Sequence, residues 1–292
     1  MFFEKYEMKK DGVIRSYDVH SFRIKMLIVG IMLVCFMIFL VCIFPAIWVL
    51  LAGFKDIKEF RTKVTIFPSK FDFSLFIKTW NDLKFMKFYV NSLIMVAGSI
   101  VCAIIFNGLI AYVLGIIKPK GFKIVTGLVM WSLLIPSTTS MVALLVNIKR
   151  VGLAGSFIPL WLVYGANAFY VLLFKQYFEG MSKELFEAAR LDGCGVFQVF
   201  FRILLPLSRP MIMVIVIFSM TAAWSDFLLP FLVLNGTGKE TVMMEIFFFR
   251  TANTNDADVV RAIFFSIIPP TILFLLFQRK ITDGAAAGAI KE

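Results

Sequence analysis

An all-α polytopic membrane protein with about six transmembrane helices is the fold class this sequence predicts, and three observations predict it. Of 292 residues, 60% are hydrophobic and only 17% charged, where a soluble domain carries about 25% charged residues. The mean hydropathy is positive. Six long apolar stretches follow one another, separated by short charged ones. A stretch of roughly 20 apolar residues crosses hydrocarbon as a helix, because lipid offers the backbone no hydrogen-bond partner.

The first stretch, 26–52, carries no charge, exceeds the core of a signal peptide and shows no small-residue cleavage site before the charges that follow. It is expected to stay as a membrane anchor. Stretches 89–117, 124–148, 151–174 and 210–238 also have spanning length, the last interrupted by Asp226. The sixth, 262–278, is shorter, but Val259 and Val260 extend it and Arg261 is expected to snorkel toward the interface. Its Pro269-Pro270 pair predicts a kink. The chain thus divides into an N-terminal tail (1–25), a first span with an external segment (26–88), a five-helix core (89–278) that includes a hydrophilic loop at 176–209, and a C-terminal tail (279–292).

The formal charge of +11 comes from 30 Lys and Arg spread between the apolar runs. They do not gather on one periodic face, which excludes a nucleic-acid-binding surface. With six spans both termini share a side, and placing them in the cytoplasm puts 17 of the 30 basic residues inside. The bias is small because segment 55–87 holds eight, offset in part by Asp56, Glu59, Asp72 and Asp82. Cys35, Cys42, Cys102 and Cys194 form no CxxC pair and the single histidine is His20. No metal site and no disulfide framework are expected. HExxH, GxSxG and paired-carboxylate arrangements are missing, so no catalytic residue is assigned.

The 176–209 loop carries the most information. Ser182 is placed to cap a short helix with Glu184 and Glu187 near its positive end, and Gly193 permits a sharp exit. Val196, Phe197, Phe200, Ile203 and Leu204 then recur at three- and four-residue spacing, predicting a second amphipathic helix that ends at Pro206. A hairpin lying on the membrane surface, its acids balancing Arg190, Arg202 and Arg209, is the alternative reading of the same residues.

Glu187-Ala188-Ala189, Asp192-Gly193 and, nine residues on, Ile203-Leu204-Leu205-Pro206 resemble the EAA coupling loop of ABC importer permeases. Cys194 stands where that family often has alanine. Trp224-Ser225-Asp226-Phe227-Leu228-Leu229-Pro230 resembles the Trp-Asn-Asp-Phe-Leu-x-Pro segment of carbohydrate-type permeases, with Ser225 in place of Asn. Asn91-Ser92-Leu93 and the tail Ala287-Gly288-Ala289-Ile290-Lys291 are similar to the same subfamily.

What the resemblance implies is a type I ABC importer transmembrane domain in a bacterial cytoplasmic membrane. Its partners would be two ATP-binding subunits, a second homologous permease and an extracellular or periplasmic solute-binding protein. No cofactor would be bound by this chain, and ATP and Mg would belong to the partners. Glu187 would be the polar anchor for an ATP-binding subunit, Ala188 and Ala189 the close-contact face, Asp192 and Gly193 the turn. Segment 284–292 is similar to one that reaches into the ATP-binding dimer in related sugar importers. The solute would be a carbohydrate, in particular an oligosaccharide; an importer for amino acids, peptides or phosphate is the nearest rival, and a channel or receptor the rival from another class.

An ionisable residue at mid-membrane costs about 2.5–3.5 kcal/mol on insertion scales, so Asp226 is either a gate or subunit contact, with Trp224 and Pro230, or a structural pairing between helices. Asn107 and Asn167 either line a pathway, bonding a sugar hydroxyl, or bond across helices. Trp131, Tyr164 and Tyr170 are read as packing or lipid contacts in a chain with 34 Phe. Gly236-Thr237-Gly238-Lys239 mimics the end of a phosphate loop, but Val233 and Glu240 occupy positions that need Gly and Ser/Thr. Asn235-Gly236-Thr237, a formal glycosylation sequon, is read as chance.

Overall fold

A computed structural model describes residues 22–63, 65–252 and 255–289, and side chains within these as far as residue 278, Arg23 excepted. The tail expected at 1–25 therefore lies mostly outside the described residues, as do the side chains of the 279–292 tail. Every described element is a helix. Phe22–Gly53 (α1), Phe85–Tyr112 (α4) and Asp256–Ala289 (α15) are long single helices. Among the described residues these supply three helices long and apolar enough to span a membrane, over Ile24–Gly53, Phe85–Ile117 and Asp256–Gln278. Three bent pairs bring the total to as many as six.

The bends were not visible in the apolar runs. The run at 124–148 folds as Phe122–Ser132 (α5) and Met141–Arg150 (α6), turning by 97° across a stretch that holds Pro136. The run at 151–174 starts late: Gly152 and Gly155 adopt positive φ, and the helices are Ile158–Gly165 (α7) and Ala168–Glu179 (α8), bent by 44°. The run at 210–238 stops early, since Arg209–Ser225 (α12) ends at Asp226 and a separate helix, Leu228–Leu234 (α13), follows. Asp226 thus sits at a helix end, between α12 and α13, and not inside a continuous helix.

Helix α4 is the centre of the bundle and packs against α7, α8 and α12. Close approach rests on small residues: a Cβ on Gly98 would lie 2.2 Å from the Trp161 ring, and one on Gly165 2.8 Å from Phe106. Dispersion at short range replaces the hydrophobic drive that lipid removes. Ile57–Thr62 (α2) and Ser74–Asp82 (α3) belong to the segment after α1. Trp80 of α3, with Phe85, Tyr89 and Phe265, forms an aromatic cluster at centroid distances of 5.0–5.8 Å that ties this segment to α4 and α15.

Arg261 does not snorkel. It is 2% exposed, its Nε donates to the Gly53 carbonyl and its Nη2 to that of Lys55, both at 2.7 Å, and its Nη1 pairs with Asp258. The end of α1 and the turn that follows it leave carbonyls without helical partners, and a guanidinium with five donors satisfies one from each. Asp258 also accepts from the Thr79 hydroxyl at 3.1 Å, joining α3 to the same node.

Pro269 and Pro270 lie inside α15, and the helix runs unbroken through both. It also continues beyond Gln278, to Ala289.

Candidate functional site

Residues 182–208 form a hairpin between the ends of α8 and α12. Lys183–Leu191 (α9) begins after Ser182, whose extended backbone occupies the cap position. The Ser182 hydroxyl, however, donates to the Glu184 carboxylate and accepts nothing from the helix. That bond, with the Glu184 N–H, holds the carboxyl below its usual range. Asp192 closes α9, and Gly193 follows at φ +76°. The Cys194 N–H bonds the Ala189 carbonyl and the Gly193 N–H that of Arg190, both at 3.0 Å. These are the two bonds of a Schellman turn, and its left-handed position is where glycine fits without a Cβ penalty.

The second arm, Val196–Leu207, starts with Gln198 reaching back to the Gly195 N–H at 2.8 Å. Three-residue α-turns, Val196–Gln198 (α10) and Leu205–Leu207 (α11), flank a π-helical stretch, Val199–Leu204. The wider turn rotates the arm. Val199, Phe200 and Leu204 are buried, whereas Val196 and Phe197, expected on the same face, are 55% and 68% exposed. The arm passes Pro206 by one residue, and the chain then turns 83° into α12, where the Ser208 hydroxyl bonds back to the Leu204 carbonyl at 2.6 Å.

Phe200 roots the hairpin. It is fully buried, stacks on Tyr112 at 5.9 Å and lies under Gly108, where a Cβ would be 3.2 Å away. At the base, Glu179 of α8 bridges Lys175 at 2.8 Å and Lys118, beyond the end of α4, at 3.0 Å. At the tip the chain is open. Glu187, Ala188, Asp192 and Gly193 are exposed, Leu191 is 89% exposed and Phe197 is exposed as well, whereas Ala189 is buried. A fixed backbone therefore presents exposed apolar side chains together with the carboxylates of Glu187 and Asp192.

The second motif is assembled away from the hairpin. Trp224 is buried, its Nε1 donates to the Ser266 carbonyl at 3.0 Å, and its ring meets Tyr89 edge-on at 5.7 Å. Asp226 is half-buried and its carboxylate lies 3.5 Å from the Leu229 N–H, at the start of α13; Pro230 is buried in the first turn of that helix, where its missing N–H costs nothing. The segment after α13 is pinned by the start of α4. The Asn91 amide donates to the Glu240 carbonyl at 2.9 Å, and the Ser92 hydroxyl accepts from the N–H of Val242, which opens Val242–Thr251 (α14). Lys239 donates to the Gly155 carbonyl at 2.8 Å.

Asn107 and Asn167 meet at the α7–α8 break. Asn107 is fully buried; its amide donates to the Ala103 and Tyr164 carbonyls, both at 2.8 Å, and accepts from the Asn167 N–H at 2.9 Å. The Asn167 side-chain oxygen, Oδ1, in turn accepts from the Tyr170 N–H at 3.1 Å, capping α8. These bonds serve the groups that the break leaves without helical partners. A side chain so buried and so occupied presents nothing to a solute in this arrangement. Sequence reasoning missed Phe200 as the root, Leu191 as the tip, and Tyr89. The Pro269-Pro270 pair was the available signal for Tyr89, because each proline leaves a carbonyl that some donor must serve.

Residues 18–284 match the family described as binding-protein-dependent transport system inner membrane component. The probable ABC transporter permease protein YurM of Bacillus subtilis (strain 168) is 31% identical over 251 residues, 85% of this chain and 83% of that protein. The arabinooligosaccharides transport system permease protein AraQ of the same organism is 27% identical over 277 residues, 93% of this chain and 99% of that protein. A chain in the crystal structure of a bacterial ABC transporter involved in the import of the acidic polysaccharide alginate shares the fold, with a TM-score of 0.78 at 20% identity, over 89% of this chain and 98% of that one.

Proposed function

The chain belongs to the binding-protein-dependent transport system inner membrane component family, and on that premise we propose that it forms half of the pathway by which an ATP-driven importer moves a carbohydrate, in particular an oligosaccharide. It is a membrane-embedded, non-catalytic transport subunit. Two ATP-binding subunits, a second and distinct permease chain and a solute-binding protein complete the assembly. ATP and Mg are used by the partners and this chain binds no cofactor. Both termini face the cytoplasm, on the side of the 182–208 hairpin.

One observation carries the coupling assignment: the hairpin exposes Leu191, Phe197 and Glu187 on a backbone locked by the Gly193 turn and rooted by Phe200. An apolar knob with exposed carboxylates suits a cleft that has an apolar floor and a basic rim, and rigidity at the root makes it a lever. Closure of the ATP-binding subunits around ATP moves the hairpin. It biases the pathway between two states only in so far as the knob's contacts differ between them. The carbohydrate assignment rests on the Trp224–Pro230 motif and on the sugar systems served by relatives such as AraQ.

Uptake of a panel of labelled oligosaccharides by cells expressing the chain with its partners tests this reading. The wild-type chain is expected to support uptake of at least one of them. Glu187→Lys is expected to abolish it while membrane insertion stays normal. Normal uptake by the variant overturns the coupling role, and uptake of amino acids or phosphate in place of sugars overturns the substrate class.

A further inference from the structure

Two consecutive prolines in α15 leave two consecutive carbonyls without their helical partners. Pro269 offers no N–H to the carbonyl of Phe265, four residues back, and Pro270 none to that of Ser266. In a membrane neither carbonyl has water to turn to. The structure supplies both from other helices: the Tyr89 hydroxyl of α4 donates to Phe265, and the Trp224 Nε1 of α12 donates to Ser266 at 3.0 Å. Each donor matches one proline, and the two donor rings touch edge to face. This pairing explains how α15 stays continuous through the prolines.

The two sides of the pair are held differently. On the N-terminal side the Arg261 node fixes α15 to the end of α1 and, through Asp258, to α3. On the C-terminal side Ile272, Phe274, Leu275 and Leu276 are all at least 50% exposed in this chain. The Thr271 hydroxyl bonds back to the Ile267 carbonyl at 2.8 Å across the same turn, a contact that favours bending. Trp224 stands in the last turn of α12, the helix that follows the 182–208 hairpin after the 83° turn at Ser208.

Resting on the coupling role above, we infer that the Pro269-Pro270 pair is a hinge in the last span, and that Tyr89 and Trp224 are the positioning residues that set it. A displacement of the hairpin carried along α12 shifts Trp224 relative to Tyr89, and so changes which of the two freed carbonyls is served. The side of α15 beyond Pro270 then moves against the side fixed by Arg261.

The test uses the tagged full-length chain captured with its partners in lipid nanodiscs, and reads thermal melting and hydrolysis of MgATP. Tyr89→Phe and Trp224→Phe each lower the melting temperature. Pro269→Ala restores the first variant and Pro270→Ala the second, because deleting donor and proline together leaves no carbonyl unserved. The crossed pairs give no rescue. The double variant Pro269→Ala/Pro270→Ala regains both helical bonds, melts no lower than wild type, and loses ATP turnover about tenfold, the size of a bias worth one hydrogen bond on a two-state equilibrium. Equal rescue by the crossed pairs overturns the assigned bonds. Full turnover in the double proline variant overturns the hinge. A wild-type chain that captures no ATP-binding subunit overturns the proposed function and the hinge with it, while the melting pattern still reads the two bonds on the chain alone.

Discussion

The two ends of α12 handle their apolar residues in opposite ways. At the start, the hairpin fixes its backbone with a Schellman turn and a π-helical arm and leaves Leu191, Val196 and Phe197 uncovered. At the finish, Trp224, Leu229 and Pro230 are buried and Trp224 is hydrogen-bonded to a neighbouring helix. One end saves its apolar surface for another chain, and the other spends it within its own fold. A rigid helix joining an outward-facing knob to an inward-facing indole has the parts needed to carry motion from a partner into the membrane.

Several substitutions break or sharpen that contrast. Glu187→Lys reverses the charge at the open end without touching the root, and its expected effect is the largest: uptake falls to background with unchanged insertion, as read by labelled-sugar transport. Phe200→Ala removes the fully buried ring that seats the hairpin on Tyr112 and Gly108. It should cost about 3–5 kcal/mol, measured as a drop in the melting temperature of the purified chain, and an unchanged melting curve would mean that the knob is not rooted there. Asn107→Ala strips the α7–α8 break of its bonds to the Tyr164 carbonyl and the Asn167 N–H. A loss of about 1–3 kcal/mol for each orphaned group is expected, visible as faster amide exchange at the start of α8. Gly193→Ala meets no atom within 4 Å but must hold φ at +76°, a conformational cost of about 1–2 kcal/mol. It should weaken capture of the ATP-binding subunit less than Glu187→Lys does, and an effect as large would show that the exposed glycine surface itself docks.

Much of this architecture is legible in the sequence because apolar length alone forces helices in lipid, so every long run is largely helical and three of them hold a single helix long enough to span. The turn of the hairpin is equally legible, because it is local and Gly193 announces the exit, whereas Ser182 occupies the cap position without making the cap bond. What the runs hide is where a helix breaks inside apolar sequence. The 44° break between α7 and α8 leaves hydropathy almost unchanged, since the polar groups freed there are served by a single side chain from another helix, Asn107 of α4. Arg261 shows the same limit. A basic residue at the start of a span reads as an interfacial anchor, and its true partners, the Gly53 and Lys55 carbonyls, lie more than 200 residues away in the chain. The π-helical arm misled in a further way, because a periodicity of 3.6 assigns Val196 and Phe197 to the buried face that the wider turn rotates into the open.

The central claim is that the 182–208 hairpin seats an ATP-binding subunit. Affinity capture of the tagged chain in mild detergent, with mass spectrometry of what accompanies it and Glu187→Lys run alongside, addresses it most directly. The account predicts that an ATP-binding subunit accompanies the wild-type chain and is lost from the variant, which still inserts in the membrane. Recovery of the chain alone or as a homo-oligomer, or equal capture by the variant, would contradict it.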